Sequence, residues 1–266
     1  MGPDLLMAFS RPITLKRKTL ASEREPLICT PLVGSDEADV RRELAAILPK
    51  RPDLLEWRVD FFSGIADGDR VVALARTIRE QAGAIPVIFT RRSIREGGNP
   101  IPLDEDRVME MYEVVCRAGC VELFDYELIV GERHFRQAAA LAEETGCVLI
   151  ASYHNFQETP DAGALVAKCV AMEKAGADIA KIAVMPRSLR DVLTLLEATL
   201  TARATISLPV ISMSMGAYGS LSRLFGWVFG SSVSFAVGEK SSAPGQIPIE
   251  QLNCAVAILK EALKGQ

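Results

Sequence analysis

Short apolar runs rich in β-branched residues recur along this chain at a nearly constant interval. The eight runs begin 23 to 34 residues apart, which is about the length of one strand–helix unit. Each run is apolar enough to be a strand that is covered on both faces. The sequence therefore predicts eight buried strands at residues 27–32, 54–60, 86–92, 120–128, 147–154, 178–185, 209–215 and 232–237.

Helix-patterned segments occupy the intervals between these runs. Acidic residues open the segment at Asp104, and Gly146 and Gly176 follow two others as C-terminal glycines. Eight strands alternating with eight helices predict one α/β domain, a (β/α)8 TIM barrel spanning residues 1–266. A doubly wound open sheet is the alternative, but it would normally have fewer strands or a second domain. The predicted helices are residues 37–48, 67–81, 104–118, 132–145, 160–175, 188–201, 220–228 and 249–263.

The segment before the first strand, residues 11–20, belongs to no strand–helix unit. We expect it to be a short N-terminal extension, a hairpin that closes the bottom of the barrel. The apolar patch near the N-terminus precedes its basic residues, which is the reverse of a secretory signal. No apolar run approaches the ~20 residues that cross a bilayer. A cytoplasmic location without membrane attachment is therefore expected.

Charge and cysteine content narrow the classes of function. The net charge of −4 argues against a general nucleic-acid-binding surface. The six cysteines are scattered, so we expect free thiols that pack as small apolar side chains. Two histidines cannot supply a histidine-rich metal site, and the sequence has no glycine-rich nucleotide signature. We therefore expect neither a metal nor a nucleotide cofactor.

Lys181 lies in the middle of the apolar run at residues 177–186. A lysine there would lose water and find little in return, and burial disfavours the charged form of an amine. A neutral amine in a dry pocket can attack a ketone or aldehyde and form a Schiff base. The alternative is a structural lysine whose ammonium reaches the strand end or pairs with an acid. The segment alone does not separate these two interpretations.

Charged side chains cluster at the C-terminal ends of the predicted strands. Because side chains alternate along a strand, those two residues apart share a face, which we expect to be the barrel interior. Barrel enzymes build their active sites at this end of the strands. His154, on the strand next to Lys181, is therefore a candidate general base. The side chains expected to converge are Glu56, Arg58 and Asp60, Thr90 and Arg92, Asp125 and Glu127, Ser152 and His154, and Lys181.

The last two strand–helix loops add further polar groups. Arg223 follows the seventh strand, and the segment 241–246 after the eighth is rich in Ser, Gly and Pro. Its hydroxyls, amide and backbone N–H groups suit a polyhydroxylated or anionic ligand. With Arg58 and Arg92 nearby, Arg223 would hold a small carboxylate or phosphate by its guanidinium fork.

Six motifs, in order and at matching spacing, resemble the type I 3-dehydroquinate dehydratases over nearly the whole chain from residue 27. The resemblance implies a (β/α)8 barrel and usually a homodimer. It also implies a small-molecule substrate, 3-dehydroquinate, and an activity in the shikimate route without metal or organic cofactor. The motifs are residues 56–60, 89–92 with 96–98, 152–156, 178–186, 213–216 and 242–246.

The resemblance also implies roles for individual residues. Lys181 would form an imine with the ring ketone, and His154 would remove the neighbouring proton and help to hydrolyse the product imine. Glu96 would position groups around the departing hydroxyl, and Arg223 would clamp the substrate carboxylate. Asp125 matches an acidic position expected to orient the surroundings of the histidine. The residues implied to hold the hydroxyls and order the site are Glu56, Arg58, Arg92, Ser242 and Gln246.

Two departures from the family pattern and two rival functions remain. Thr30 and Pro31 stand where the family often has a substrate-contacting serine, and the loop after Met215 is less basic than expected. A class I aldolase-type barrel would also use a Schiff-base lysine. A non-catalytic barrel would have no reason to bring Lys181, His154 and Glu96 together.

Overall fold

The N-terminal segment contains a short antiparallel hairpin. The computed structural model describes residues 13–15, 18–20 and 25–264. Strands β1 (Ile13–Leu15) and β2 (Lys18–Leu20) pair with Ile13 opposite Leu20. The predicted hairpin is therefore confirmed, and its closure of the barrel bottom stays a prediction.

Eight parallel strands form a closed barrel. Their order follows the chain, and the sheet closes where Val210 bridges to Ser231, with Ser232 N donating to Val210 O at 2.8 Å. A short strand, β11 (Ile247–Pro248), adds to β10. The predicted barrel is confirmed. Its strands are β3 (Leu27–Leu32), β4 (Leu54–Arg58), β5 (Val87–Thr90), β6 (Leu123–Glu127), β7 (Val148–Asn155), β8 (Ile179–Val184), β9 (Val210–Ser214) and β10 (Val233–Val237).

Helices follow the strands and surround the barrel. Several begin where an acidic or hydroxyl side chain accepts hydrogen bonds from first-turn N–H groups, as Asp36, Asp67, Asp104, Asp161 and Ser188 do. These caps fix where each helix starts relative to the preceding strand. The helices are α1 (Glu37–Ile47), α2 (Gly68–Ala82), α3 (Glu105–Arg117), α4 (Glu132–Thr145), α5 (Ala162–Lys174), α6 (Leu189–Thr205), α7 (Gly216–Phe225) and α8 (Ile249–Leu263).

The barrel interior has an apolar floor beneath a polar layer. The floor includes Leu54, Ile88, Leu123, Ile150, Ile179, Ile211 and Val233, all buried. Because side chains on one face recur every two residues, the residue two positions further along each strand also faces the barrel interior. Those positions hold Glu56, Thr90, Asp125, Ser152, Lys181, Met213 and Phe235. The alternation therefore delivers polar groups to the C-terminal end of the barrel and keeps its base dry.

Five strands, β4, β5, β6, β8 and β9, end one or two residues earlier than the sequence predicts. Strand β4 stops at Arg58 and a 3-10 turn follows at Val59–Phe61, while β5 stops at Thr90 and β6 at Glu127. Asp60 leaves the sheet because its carboxylate accepts from Arg58 and from the backbone N–H of Arg92, in place of a sheet partner. The charged motifs thus belong partly to the loops.

Helix α7 corrects the predicted position of Arg223. We expected a helix at 220–228 and a loop before it, but α7 begins at Gly216 and carries Arg223 in its last turn. Gly219 makes this packing possible, because a Cβ there would lie 2.2 Å from Ser214 O. The hydroxyl of Ser222 accepts from Ser214 N at 2.8 Å and fixes the helix on β9. Gly216 and Gly219 have low helix propensity, so the sequence pattern did not indicate the first turn of this helix.

Candidate active site

A cleft of about 430 Å³ opens at the C-terminal end of the barrel strands. Eight of the ten residues predicted for the site line it: Glu56, Arg58, Arg92, Glu96, His154, Lys181, Ser242 and Gln246. Asp125 lies beneath Lys181, and Arg223 lies behind the cleft wall against Met213. The structure therefore brings together residues that are far apart in sequence.

Lys181 is buried among acidic partners. Its side chain is 4% exposed, and its Nζ lies 2.8 Å from Asp125 Oδ2 and 3.3 Å from Glu56 Oε1. The ring of Phe235 lies beside it, with its centroid 4.7 Å from Nζ. The expectation that the ammonium finds little in return for lost water is therefore wrong. The two carboxylates, contributed by β6 and β4, offset the cost of burying a charge.

Asp125 accepts a hydrogen bond from Lys181, and it interacts with His154 through charge alone. Burial alone would raise the pKa of Asp125, but Arg92 and Lys181 outweigh it and hold the pKa well below its usual range. Its other oxygen accepts from Arg92 Nη2 at 2.8 Å and from Ser152 Oγ at 2.6 Å. The carboxylate that hydrogen-bonds His154 belongs to Glu96. The negative charge of Asp125 favours the protonated form of His154, and its expected orienting role toward the surroundings of the histidine stays a prediction.

His154 and Glu96 form a coupled pair. Glu96 Oε2 accepts from the backbone N–H of His154 at 3.0 Å and lies 2.8 Å from its Nδ1. With a hydrogen on Nδ1, the lone pair of Nε2 remains available to accept a proton. Burial, with Arg92 and Lys181, lowers the pKa of His154 well below its usual range. Burial also raises the pKa of Glu96 to about 8, opposed by Arg92 and reinforced by Glu127.

Arg92 holds the acidic residues of the site together. Its guanidinium contacts the carboxylates of Asp125, Glu127 and Glu96 at 2.8, 3.0 and 3.5 Å. Burial alone would lower the pKa of Arg92, but these three carboxylates outweigh it and raise the pKa above its ordinary value. Arg58 is also paired with a carboxylate, since its Nε and Nη2 donate to Asp60 at 2.8 and 2.9 Å.

Arg223 is buried without an acidic partner in the described part of the chain. It is 2% exposed, and its nearest polar contacts are the carbonyl oxygens of Phe235 at 3.4 Å and Pro244 at 3.3 Å. Burial lowers the pKa of Arg223 to about 10. An uncompensated cation beside the cleft is available for an anionic group on a ligand.

Ser242 and Gln246 close one side of the cleft from the loop after β10. Gln246 Nε2 donates to Ser242 Oγ at 3.2 Å, and Gln246 Oε1 accepts from Ser242 N at 3.0 Å. Because both residues line the cleft, their polar groups are positioned to meet a hydroxylated ligand. Thr30 and Pro31 of β3 do not line the cleft.

Comparison with known proteins identifies the family. The type I 3-dehydroquinase family matches residues 28–262. The chain belongs to the type I 3-dehydroquinase family. The 3-dehydroquinate dehydratase of Aromatoleum aromaticum is 64% identical over 260 residues, which cover 98% of this chain and 100% of that protein. The predicted family and the prediction of an enzyme are confirmed.

Solved structures of type I 3-dehydroquinases share this barrel. The crystal structure of 3-dehydroquinate dehydratase from Geobacillus kaustophilus has a TM-score of 0.93 at 47% identity, covering 95% of this chain and 98% of that one. A type I 3-dehydroquinate dehydratase from Clostridium difficile, solved with covalently modified comenic acid, has a TM-score of 0.90 at 34% identity and the same coverage.

Two aromatic residues of this 3-dehydroquinase cleft were not predicted from the sequence to contact site residues. Phe235 faces Lys181, and strand alternation from Val233 could have found it. Phe156 lies on Gly97, where a Cβ would meet the ring at 2.3 Å and the backbone φ of +83° favours glycine. Gly97 directly follows Glu96, so this contact helps to fix the loop that bears the carboxylate.

Neither a metal cluster nor a membrane span is found in the described residues of this type I 3-dehydroquinase. Within residues 13–15, 18–20 and 25–264, no group of three or more His, Cys, Asp or Glu side chains is arranged to hold a metal ion. No helix in that part of the chain is both long and apolar enough to cross a membrane.

Proposed function

We propose that this protein dehydrates 3-dehydroquinate to 3-dehydroshikimate through a Schiff base on Lys181, with His154 as general acid and base. The observation that carries this proposal is that a buried lysine on β8 and a partly buried histidine on β7 line one cleft. The names of the relatives and the family membership support the substrate.

Imine formation begins when the Lys181 amine, after losing a proton, attacks the ring ketone. The carbinolamine loses water and leaves a cationic imine. Asp125 and Glu56, which contact Nζ in the free protein, would stabilise this cation as they stabilise the ammonium. The positive imine draws electrons from the neighbouring carbon and acidifies its C–H bond.

His154 performs the proton transfers that follow. Its Nε2 takes the proton from the carbon next to the imine and gives an enamine, whose electron pair then expels the β-hydroxyl as water with a proton from the imidazolium. Water finally attacks the conjugated imine and releases the enone and the Lys181 amine. The lowered pKa of His154 keeps the imidazole neutral, and therefore basic, at neutral pH. Glu96 holds the ring through Nδ1 and would help to position the leaving group.

The remaining polar residues bind the substrate. Arg223, which has no acidic partner in the described residues, would take the ring carboxylate by its guanidinium. Glu56, Arg58, Arg92, Ser242 and Gln246 line the cleft and would hold the hydroxyls. The chemistry needs no metal and no organic cofactor. We further propose a homodimer that works in the cytoplasm, as the resemblance to the family implies.

An absorbance assay for the conjugated enone tests this function. Wild-type protein with 3-dehydroquinate is expected to generate the enone signal, and His154→Ala is expected to lose about 10²–10⁴-fold in kcat, the usual range for general acid–base catalysis. His134→Ala is the matched control, because that histidine pairs with Asp106 outside the cleft. An unchanged kcat for His154→Ala would remove His154 from the mechanism, and no enone from the wild type would contradict the function.

A further inference from the structure

The loop that carries Ser242 and Gln246, residues 238–246, is fixed where it leaves β10. Lys50 Nζ donates to Gly238 O at 2.6 Å. A Cβ on Gly238 would lie 2.4 Å from Thr30 Cγ2, so this end of the loop packs directly on the barrel wall. The position of Ser242 therefore depends on how the next few residues are held.

Glu43 lies in helix α1, close to the start of this loop. Its carboxylate is buried, and Oε2 accepts from the backbone N–H groups of Val33 at 2.7 Å and Gly34 at 2.9 Å. The other oxygen, Oε1, accepts no hydrogen bond in the described part of the chain. Lys240 Nζ lies 3.3 Å from Oε1. One carboxylate thus connects α1, the turn after β3 and the loop after β10.

Exposure differs strongly between the two partners. The Glu43 side chain is 2% exposed and the Lys240 side chain is 48% exposed. A buried carboxylate is costly unless it is paired and hydrogen-bonded, whereas a half-exposed lysine keeps much of its hydration. The pairing therefore favours the loop position that brings Lys240 to Glu43. In that position Ser242, two residues further on, lines the cleft.

We propose that Glu43 and Lys240 are positioning residues that hold Ser242 and Gln246 over the cleft for substrate binding. Neither lines the cleft itself, so they act through the loop. This inference rests on the proposed function, because it takes Ser242 and Gln246 as groups that contact 3-dehydroquinate. Removing the pair would leave the loop to be ordered at the moment of binding, which weakens binding without altering the reacting groups.

Lys240→Met tests the proposal without disturbing the core. We expect KM for 3-dehydroquinate to rise about three- to ten-fold while kcat changes by less than about two-fold. Lys240→Arg keeps the charge and is expected to restore the wild-type KM. Lys174→Met, at an exposed lysine of α5 far from the loop in sequence, is the control and should leave both constants unchanged.

Two backgrounds separate positioning from a general structural effect. In Glu43→Gln, one amide oxygen can still accept from Val33 and Gly34 while the charge is gone. Lys240→Met should therefore raise KM no further in that background. In the double variant Ser242→Ala/Gln246→Ala, the loop has lost the groups that it positions, so Lys240→Met should again have no effect.

The outcomes distinguish a failure of the proposed function from a failure of this inference. If wild-type protein fails to dehydrate 3-dehydroquinate, the proposed function falls and this inference falls with it. If the wild type turns over but Lys240→Met keeps its KM, or raises it equally in the Ser242→Ala/Gln246→Ala background, this inference alone is overturned. A fall in kcat at unchanged KM overturns it as well.

Discussion

Two buried arginines near the cleft have opposite surroundings. Arg92 contacts three carboxylates, which raise its pKa, whereas Arg223 has carbonyl contacts, no acidic partner in the described chain and a pKa lowered by burial to about 10. The charge of Arg92 is compensated before any ligand arrives. The charge of Arg223 is not, so it can be satisfied by a substrate anion. The surroundings of Arg92 therefore balance charge within the site, whereas those of Arg223 leave a cation that can bind an anionic group of the substrate.

Replacing Arg92 should give the largest loss of stability. Arg92→Met leaves Asp125, Glu127 and Glu96 buried together without the guanidinium that contacts all three. We expect a loss of about 3–5 kcal/mol in the free energy of unfolding, the usual cost of breaking a buried charge network from one side. Urea unfolding at neutral pH measures it. A loss no greater than that of Arg223→Met would contradict the compensated role of Arg92.

Replacing Arg223 should affect binding far more than stability. Arg223→Met removes an uncompensated buried charge, so we expect the free energy of unfolding to change by less than about 1 kcal/mol. The loss of its contact with the substrate carboxylate should lower kcat/KM for 3-dehydroquinate roughly 30- to 1000-fold, which corresponds to about 2–4 kcal/mol of transition-state stabilisation. Steady-state kinetics measures this, and an effect below five-fold would place the carboxylate elsewhere.

The sequence predicted the polar layer of the barrel but not the balance of charge within it. Alternation along strands placed Glu56, Thr90, Asp125 and Lys181 on one interior face, and the structure has them there. The partners of Lys181 come from positions 56 and 125 residues away in the chain. Reading only the neighbours of Lys181 in sequence therefore made its environment look more apolar than it is.

Loop and helix boundaries were the least predictable part of the fold. Gly216 and Gly219 weakened the helical pattern, so α7 was expected four residues too late. What favours Gly219 at its position in the helix is its close packing on Ser214, a tertiary contact that no local pattern contains. The lack of an acidic partner for Arg223 depends on that same packing, and so the contrast between the two arginines appears only in three dimensions.

A third expected effect concerns the pH dependence of stability near Arg92. The folded-state pKa of Glu96, about 8, lies above its ordinary value of 4.5. The folded protein therefore holds this proton more tightly than the unfolded chain does. The stability contributed in this way is fully present below about pH 4.5 and is lost as the pH rises through 8. Glu96→Gln should lack this dependence.

Unfolding free energies of wild type and Glu96→Gln, measured from pH 5 to 9, check this prediction. The difference between them should shift in favour of the variant as the pH rises. A difference that stays constant over the range would mean that Glu96 is ionised throughout, and that Arg92 compensates it more completely than its 3.5 Å contact indicates.

The most direct test of the account is the site of covalent attachment. The protein is incubated with 3-dehydroquinate and borohydride, its intact mass is measured, and the modified peptide is mapped. A single reduced adduct on Lys181, absent in Lys181→Ala and retained in His154→Ala, is the predicted result. No adduct, or an adduct on another lysine, would contradict imine chemistry at Lys181.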